Sequence, residues 1–107
     1  MLPKGHFDFE RLDAFTVAVQ VARWVRGVRW PAKTTHLQDQ AMRAADSIVL
    51  NLAEGDASTG RNRAKHFAIA RGSAGEVFAV TAIVDLEGAD DARDKLRRLN
   101  QMLFRLR

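Results

Sequence analysis

The sequence predicts an all-α protein, an up-and-down antiparallel four-helix bundle with residues 1–107 as one domain. Three observations predict it. Apolar residues recur at three- and four-residue spacing in four separate stretches. The β-branched residues fall inside those helical patterns, and nowhere do they alternate with the two-residue period of a strand. The breaks between stretches are short, so consecutive helices pack as antiparallel neighbours.

The first helix is expected over residues 9–28. Asp8 can cap its first turn, and Phe7 can close over Leu12 as a hydrophobic staple. Phe15, Ala18, Ala22 and Val25 form one apolar stripe, and Val17, Val21, Trp24 and Val28 form a second. Gly27 weakens the helix and Pro31 stops it. Thr35 followed by Gln38 fits a capping box, which sets the second helix at 37–54. Leu37, Ala41, Ala44, Ala45, Ile48 and Leu52 make its core stripe, and Gly55 ends it as a left-handed cap.

The third helix is expected over 61–86 after a short polar loop. Phe67, Ala70, Ala74, Phe78 and Thr81 lie on one side, with Ile69, Val77, Val80, Ile83 and Val84 nearly opposite. A helix apolar on both sides is expected to be buried on both sides. Gly88 stops it, and Asp90 caps a fourth helix at 90–106, whose seam is Ala92, Leu96, Leu99, Leu103 and Leu106. Early acids (Asp90, Asp91, Asp94) and late bases (Arg105, Arg107) suit the dipole of that helix.

Composition narrows the class further. At 107 residues and 47% hydrophobic, the chain can bury one core and is too apolar for disorder. It has no cysteine, which excludes disulfides, thiolate metal sites and cysteine nucleophiles and fits a reducing compartment. No apolar run approaches the about 18–20 residues that span a bilayer, and residues 1–6 carry no signal-peptide-like stretch. A cytoplasmic protein without a membrane partner is the expectation. The net charge of +4 permits nucleic-acid binding without demanding it.

The usual chemistry-bearing patterns are missing. Di-iron bundles need Glu-x-x-His pairs, and none occurs; His6, His36 and His66 stand alone and read as exposed histidines. Gly55 to Asn62 has P-loop glycine spacing, but Arg61 and Asn62 replace the lysine and the magnesium ligand, and a helix precedes it where a strand is required. Ser47, Ser58 and Ser73 have no histidine at short helical spacing. No catalytic residue, no metal ligand and no cofactor site is predicted, and the chain reads as a non-enzyme.

The informative residues are polar ones inside apolar helices. Arg43, Ser47, Asn51 and Glu54 form a polar stripe on the second helix. Arg71, Ser73 and Glu76 sit among apolar residues of the third. Buried charges are costly unless paired, so a polar network across these two helices is expected, with Arg43 and Glu54 as partners for Arg71 and Glu76. Such a network fixes helix register in one reading and lines a polar pocket or channel in the other.

These residues also carry a resemblance. The pattern R-A-A-x-S-I-x-x-N-L-A-E-G at Arg43 to Gly55, followed by A-R-G-S-x-x-E at Ala70 to Glu76, resembles the four-helix-bundle proteins of the 23S rRNA intervening-sequence family. Leu12, Phe15 and Ala18 match that family's first-helix motif, with Phe15 in place of its usual Trp. Val49 replaces a frequent Pro, which implies a straighter second helix, and the loop after Gly55 lacks the usual aromatic.

The resemblance implies a bacterial bundle that assembles into a closed homo-oligomer, typically a pentamer, with no enzyme activity. It therefore implies a scaffold or adaptor whose first partner is itself. A fold relative, the accessory protein of diversity-generating retroelements, is a basic pentamer that works with a reverse transcriptase and RNA. By that analogy the alternative is an RNA-binding accessory, working with RNA or a nucleic-acid-processing protein. Its contacts would come from Arg61, Arg63 and Lys65 on the third helix and Arg97, Arg98, Arg105 and Arg107 on the fourth.

Overall fold

The structure, a computed structural model, describes residues 12–106. Four helices follow one another: α1 (Asp13–Gly27), α2 (Thr35–Asp56), α3 (Gly60–Ile83) and α4 (Ala89–Leu106). There is no strand among the described residues. Each helix packs on its neighbours in the cycle α1–α2–α3–α4. This is the all-α, up-and-down bundle that the periodicity predicts. Phe67, Ile48, Leu52, Leu99, Leu103, Val21, Val25 and Val77 fill the centre, so every helix supplies core side chains.

A second apolar cluster closes one end of the bundle. Val84, Leu86 and Ala89 pack there against Trp24, Val28, Trp30 and Leu37. Both tryptophans settle their polar edge on backbone: Trp24 Nε1 donates to the Glu87 carbonyl at 3.0 Å, and Trp30 Nε1 donates to the Val25 carbonyl at 3.0 Å. Gly88 sits at φ +81°, and a Cβ there would lie 3.0 Å from Trp24 Nε1. Both the backbone conformation and the contact would strain a side chain at that position.

Several helix ends differ from expectation. Leu12 is extended, so α1 begins at Asp13 rather than near Phe9; the Asp8 cap and the Phe7 staple lie outside the described residues. α2 begins at Thr35, and Thr34 precedes it with no side-chain cap; the Thr34 hydroxyl instead donates to the Pro31 carbonyl at 2.6 Å. The capping box of Thr35 and Gln38 therefore does not form. Gly55 is not a left-handed cap either, because α2 continues to Asp56. Its role is close approach: Gly55 is buried, with the Phe67 ring where a side chain would stand.

α3 stops at Ile83 and not at Leu86, since Val84 is extended (φ −116°, ψ 129°). Leu86 turns into the end cluster instead, so apolar burial outside the helix outweighs one more helical turn. Arg93 from α4 secures this end by donating from Nε to Thr81 Oγ1 and from Nη2 to the Thr81 carbonyl. Asp90 lies in the first turn of α4, one residue after its start, and pairs with Arg93 at 2.9 Å.

The two double stripes meet different fates. On α1 both are covered by the chain itself: Val17, Ala18, Val21 and Val25 are buried, while Phe15, Ala22, Trp24 and Val28 are half-buried. On α3 the second stripe splits. Val77, Val80 and Val84 turn inward, but Ile69 and Ile83 remain 40% and 68% exposed.

Candidate interaction surface

The α2–α3 pair forms the most extensive helix contact of the bundle, and a polar network lies along it. Asn51 Nδ2 donates to the Ser47 carbonyl at 2.9 Å and to Ser47 Oγ at 3.0 Å. Ser73 Oγ donates to Ser47 Oγ across the helices at 2.8 Å. His66 Nδ1 meets Asn51 Oδ1 at 2.9 Å. A carbonyl only accepts, so the bond to Ser47 fixes which end of the Asn51 amide is nitrogen. The amide oxygen must then face His66, and the imidazole must donate from Nδ1. No buried side-chain polar atom among the described residues lacks a partner.

Three of the seven residues expected in the network thus come together: Ser47, Asn51 and Ser73. His66, read from sequence as an exposed histidine, is a half-buried fourth member. The hairpin register holds the signal that identifies it, because Asn51 and His66 stand at similar distances from the α2–α3 turn. The expected charge pairs do not form. Arg43, Glu54 and Glu76 are exposed, and among the described residues no ion pair joins them to one another or to Arg71. Their charges sit in water, so burial does not force them to pair. Arg43 and Glu76 line a surface depression with His36, Asp39 and Gln40.

Arg71 faces α4. Its Nε donates to Asn100 Oδ1 at 3.3 Å, and its guanidinium lies 4.9 Å from the Phe104 ring centre. Arg97 lies over Phe78 in the same way, at 5.2 Å. The basic residues expected at a nucleic-acid surface divide into two groups. Arg63 closes the α2–α3 turn, with contacts to the Gly55 carbonyl, Asp56 and the Phe67 ring, and Arg97 pairs with Asp94. Arg61, Lys65, Arg98 and Arg105 are exposed, and Arg107 lies outside the described residues. Because α3 and α4 are antiparallel, Arg61, Lys65 and Arg105 reach the same end of the bundle.

The outward side of α3 carries a different pattern. Ile69, Gly72, Glu76, Ala79 and Ile83 are all exposed and follow the three-four spacing of a helix-packing seam. A Cβ added to Gly72 would meet nothing within 4 Å. On α2, Leu50 is 63% exposed.

The molecule is a small helical bundle with a polar network between α2 and α3, a solvent-facing seam on α3 that is apolar except for Glu76, and no metal-ligand cluster among the described residues. The chain belongs to the 23S rRNA-intervening sequence protein family, whose model matches residues 10–104. Comparison with curated proteins gives no match. Among the described residues no helix is long and apolar enough to cross a membrane.

Proposed function

We propose that the chain is a non-enzymatic scaffold that assembles with copies of itself through the outward seam of α3. The seam Ile69–Gly72–Glu76–Ala79–Ile83 is the observation that carries this reading. A helix of a self-sufficient bundle presents one apolar face, whereas α3 fills the core with one side and leaves a second line, apolar except for Glu76, in water. The open space at Gly72 lets another backbone approach closely. Closure into a ring, with five copies, follows from the family resemblance. The double variant Ile69→Glu/Ile83→Glu tests it: both residues are exposed, so helical content should persist while the assembly falls to monomers. An unchanged mass would reject the seam as the interface.

The second reading is an RNA-binding accessory. The gathering of Arg61, Lys65 and Arg105 at one bundle end favours it, and a ring would multiply that weak patch through avidity. RNA affinity should then fall steeply between low and physiological salt, and a flat salt response would eliminate phosphate contact as its basis.

A further inference from the structure

A cleft of about 260 Å³ opens between α3 and α4, lined by Arg71, Ala74, Gly75, Phe78, Leu96, Arg97 and Asn100. Among the described residues its polar lining is two guanidiniums and one carboxamide, with no carboxylate. Arg71 is half-buried and has no acidic partner among the described residues. Only its Nε is engaged, with Asn100 Oδ1, while the Phe104 ring supports the guanidinium plane. This bond turns the Asn100 oxygen toward Arg71, leaving the carboxamide N–H groups as further donors. The terminal nitrogens of Arg71 keep the paired donors of a fork. Arg97 gives one nitrogen to Asp94 at 2.8 Å in a well-exposed pair that a stronger anion can displace.

A second observation points the same way. Gly75 lies within α3 and lines this cleft, and a Cβ there would meet nothing within 4 Å. A helix-interior glycine weakens the helix relative to alanine, and no contact inside the chain uses the missing side chain. Its absence leaves open space beside the backbone in the wall of a cationic cleft.

We infer that the α3–α4 cleft is a binding site for a phosphate group, held by the Arg71 fork with Arg97 and Asn100 and seated over Gly75. Two guanidiniums match a phosphate dianion better than a single carboxylate, and the Phe104 and Phe78 rings lie against them. The site is on a different face of α3 from the outward seam and does not depend on self-assembly.

The test is a titration of the full chain with inorganic phosphate, AMP and adenosine at constant ionic strength. It is followed through the Arg71 Nε–Hε and Gly75 amide NMR signals, with assembly mass checked in parallel. Phosphate should give saturable shifts at both signals. Tighter binding of AMP would mark a nucleotide as the source of the phosphate, and weaker binding would mark the free anion; either supports the site. Arg71→Gln should weaken binding by about tenfold or more, and Arg98→Gln, on the exposed surface outside the cleft, by less than about twofold. Gly75→Leu should block the cleft while Arg71 stays in place. Equal losses in Arg71→Gln and Arg98→Gln would overturn the proposal, because a diffuse basic surface would then explain binding. So would adenosine binding as tightly as AMP, or full binding by Gly75→Leu.

Discussion

Gly55 and Phe67 approach so closely that a Cβ on Gly55 would lie 2.6 Å from Phe67 Cε1 and 2.8 Å from Cδ1. Phe67 is fully buried in the core, so moving its ring aside disturbs the packing around it. This contact sets the distance between α2 and α3 where they leave their turn, and Arg63 covers it from outside, 4.7 Å from the same ring. Gly55→Ala should therefore destabilise the fold by about 1–3 kcal/mol through overpacking. Thermal unfolding at fixed protein concentration checks this, and a melting temperature equal to the parent's would show that the helices can separate freely.

The same substitution seventeen residues later should act with opposite sign. Gly72 has open space around its missing side chain and no positive φ. Gly72→Ala should stabilise the helix by about 0.5–1 kcal/mol. The Ile69→Glu/Ile83→Glu background is the place to measure it by denaturant unfolding, since assembly there no longer shifts apparent stability. A loss of stability in that background would mean that the chain itself needs the glycine.

Asn51 joins Ser47 on its own helix to His66 on the next. Replacing it with leucine removes the amide and leaves the half-buried His66 Nδ1 without its acceptor. Destabilisation of about 1–3 kcal/mol is expected, with His66→Ala in the Asn51→Leu background adding much less than His66→Ala alone. A double-mutant cycle by urea unfolding measures the coupling; strict additivity would show that the bond is not a stabilising one.

At the other end of the bundle, Trp24 holds the α3–α4 connection through Glu87. Trp24→Phe keeps most of the ring but loses the donor, and should lower stability by about 1 kcal/mol. Amide exchange near Ala89 should quicken more than exchange at Leu103, because only the end cluster is loosened. Equal quickening at both would contradict a local role.

Much of this was legible in the residues. Periodicity alone gives four helices, and of the seam Ala92, Leu96, Leu99, Leu103 and Leu106 all are buried except the half-buried Leu106. Short loops give the antiparallel order. Helix ends were less legible, since they depend on contacts distant in sequence: Leu86 leaves α3 for a cluster built by Trp24 and Trp30, and Gly55 answers to Phe67 rather than to its own backbone. In the polar network, Ser47, Asn51 and Ser73 stood out as polar residues in apolar company. His66 did not, because a lone histidine has no local signature and only the hairpin register brings it to Asn51. Glu76 looked buried because the neighbouring Ile69 and Ile83 are apolar; in the single chain all three face water, and Arg43 and Glu54, expected as partners, are exposed on α2. Arg71 and Arg97 find their rings through tertiary packing, which spacing along one helix does not reveal.

The central claim is that the outward seam of α3 is covered by other copies of the chain. Light scattering on a sizing column, read over a dilution series, tests it most directly. A closed ring of five 12.0 kDa chains predicts a mass of about 60 kDa that holds on dilution. A mass of 12.0 kDa at every concentration would contradict the account, since Ile69 and Ile83 would then face water in the native protein.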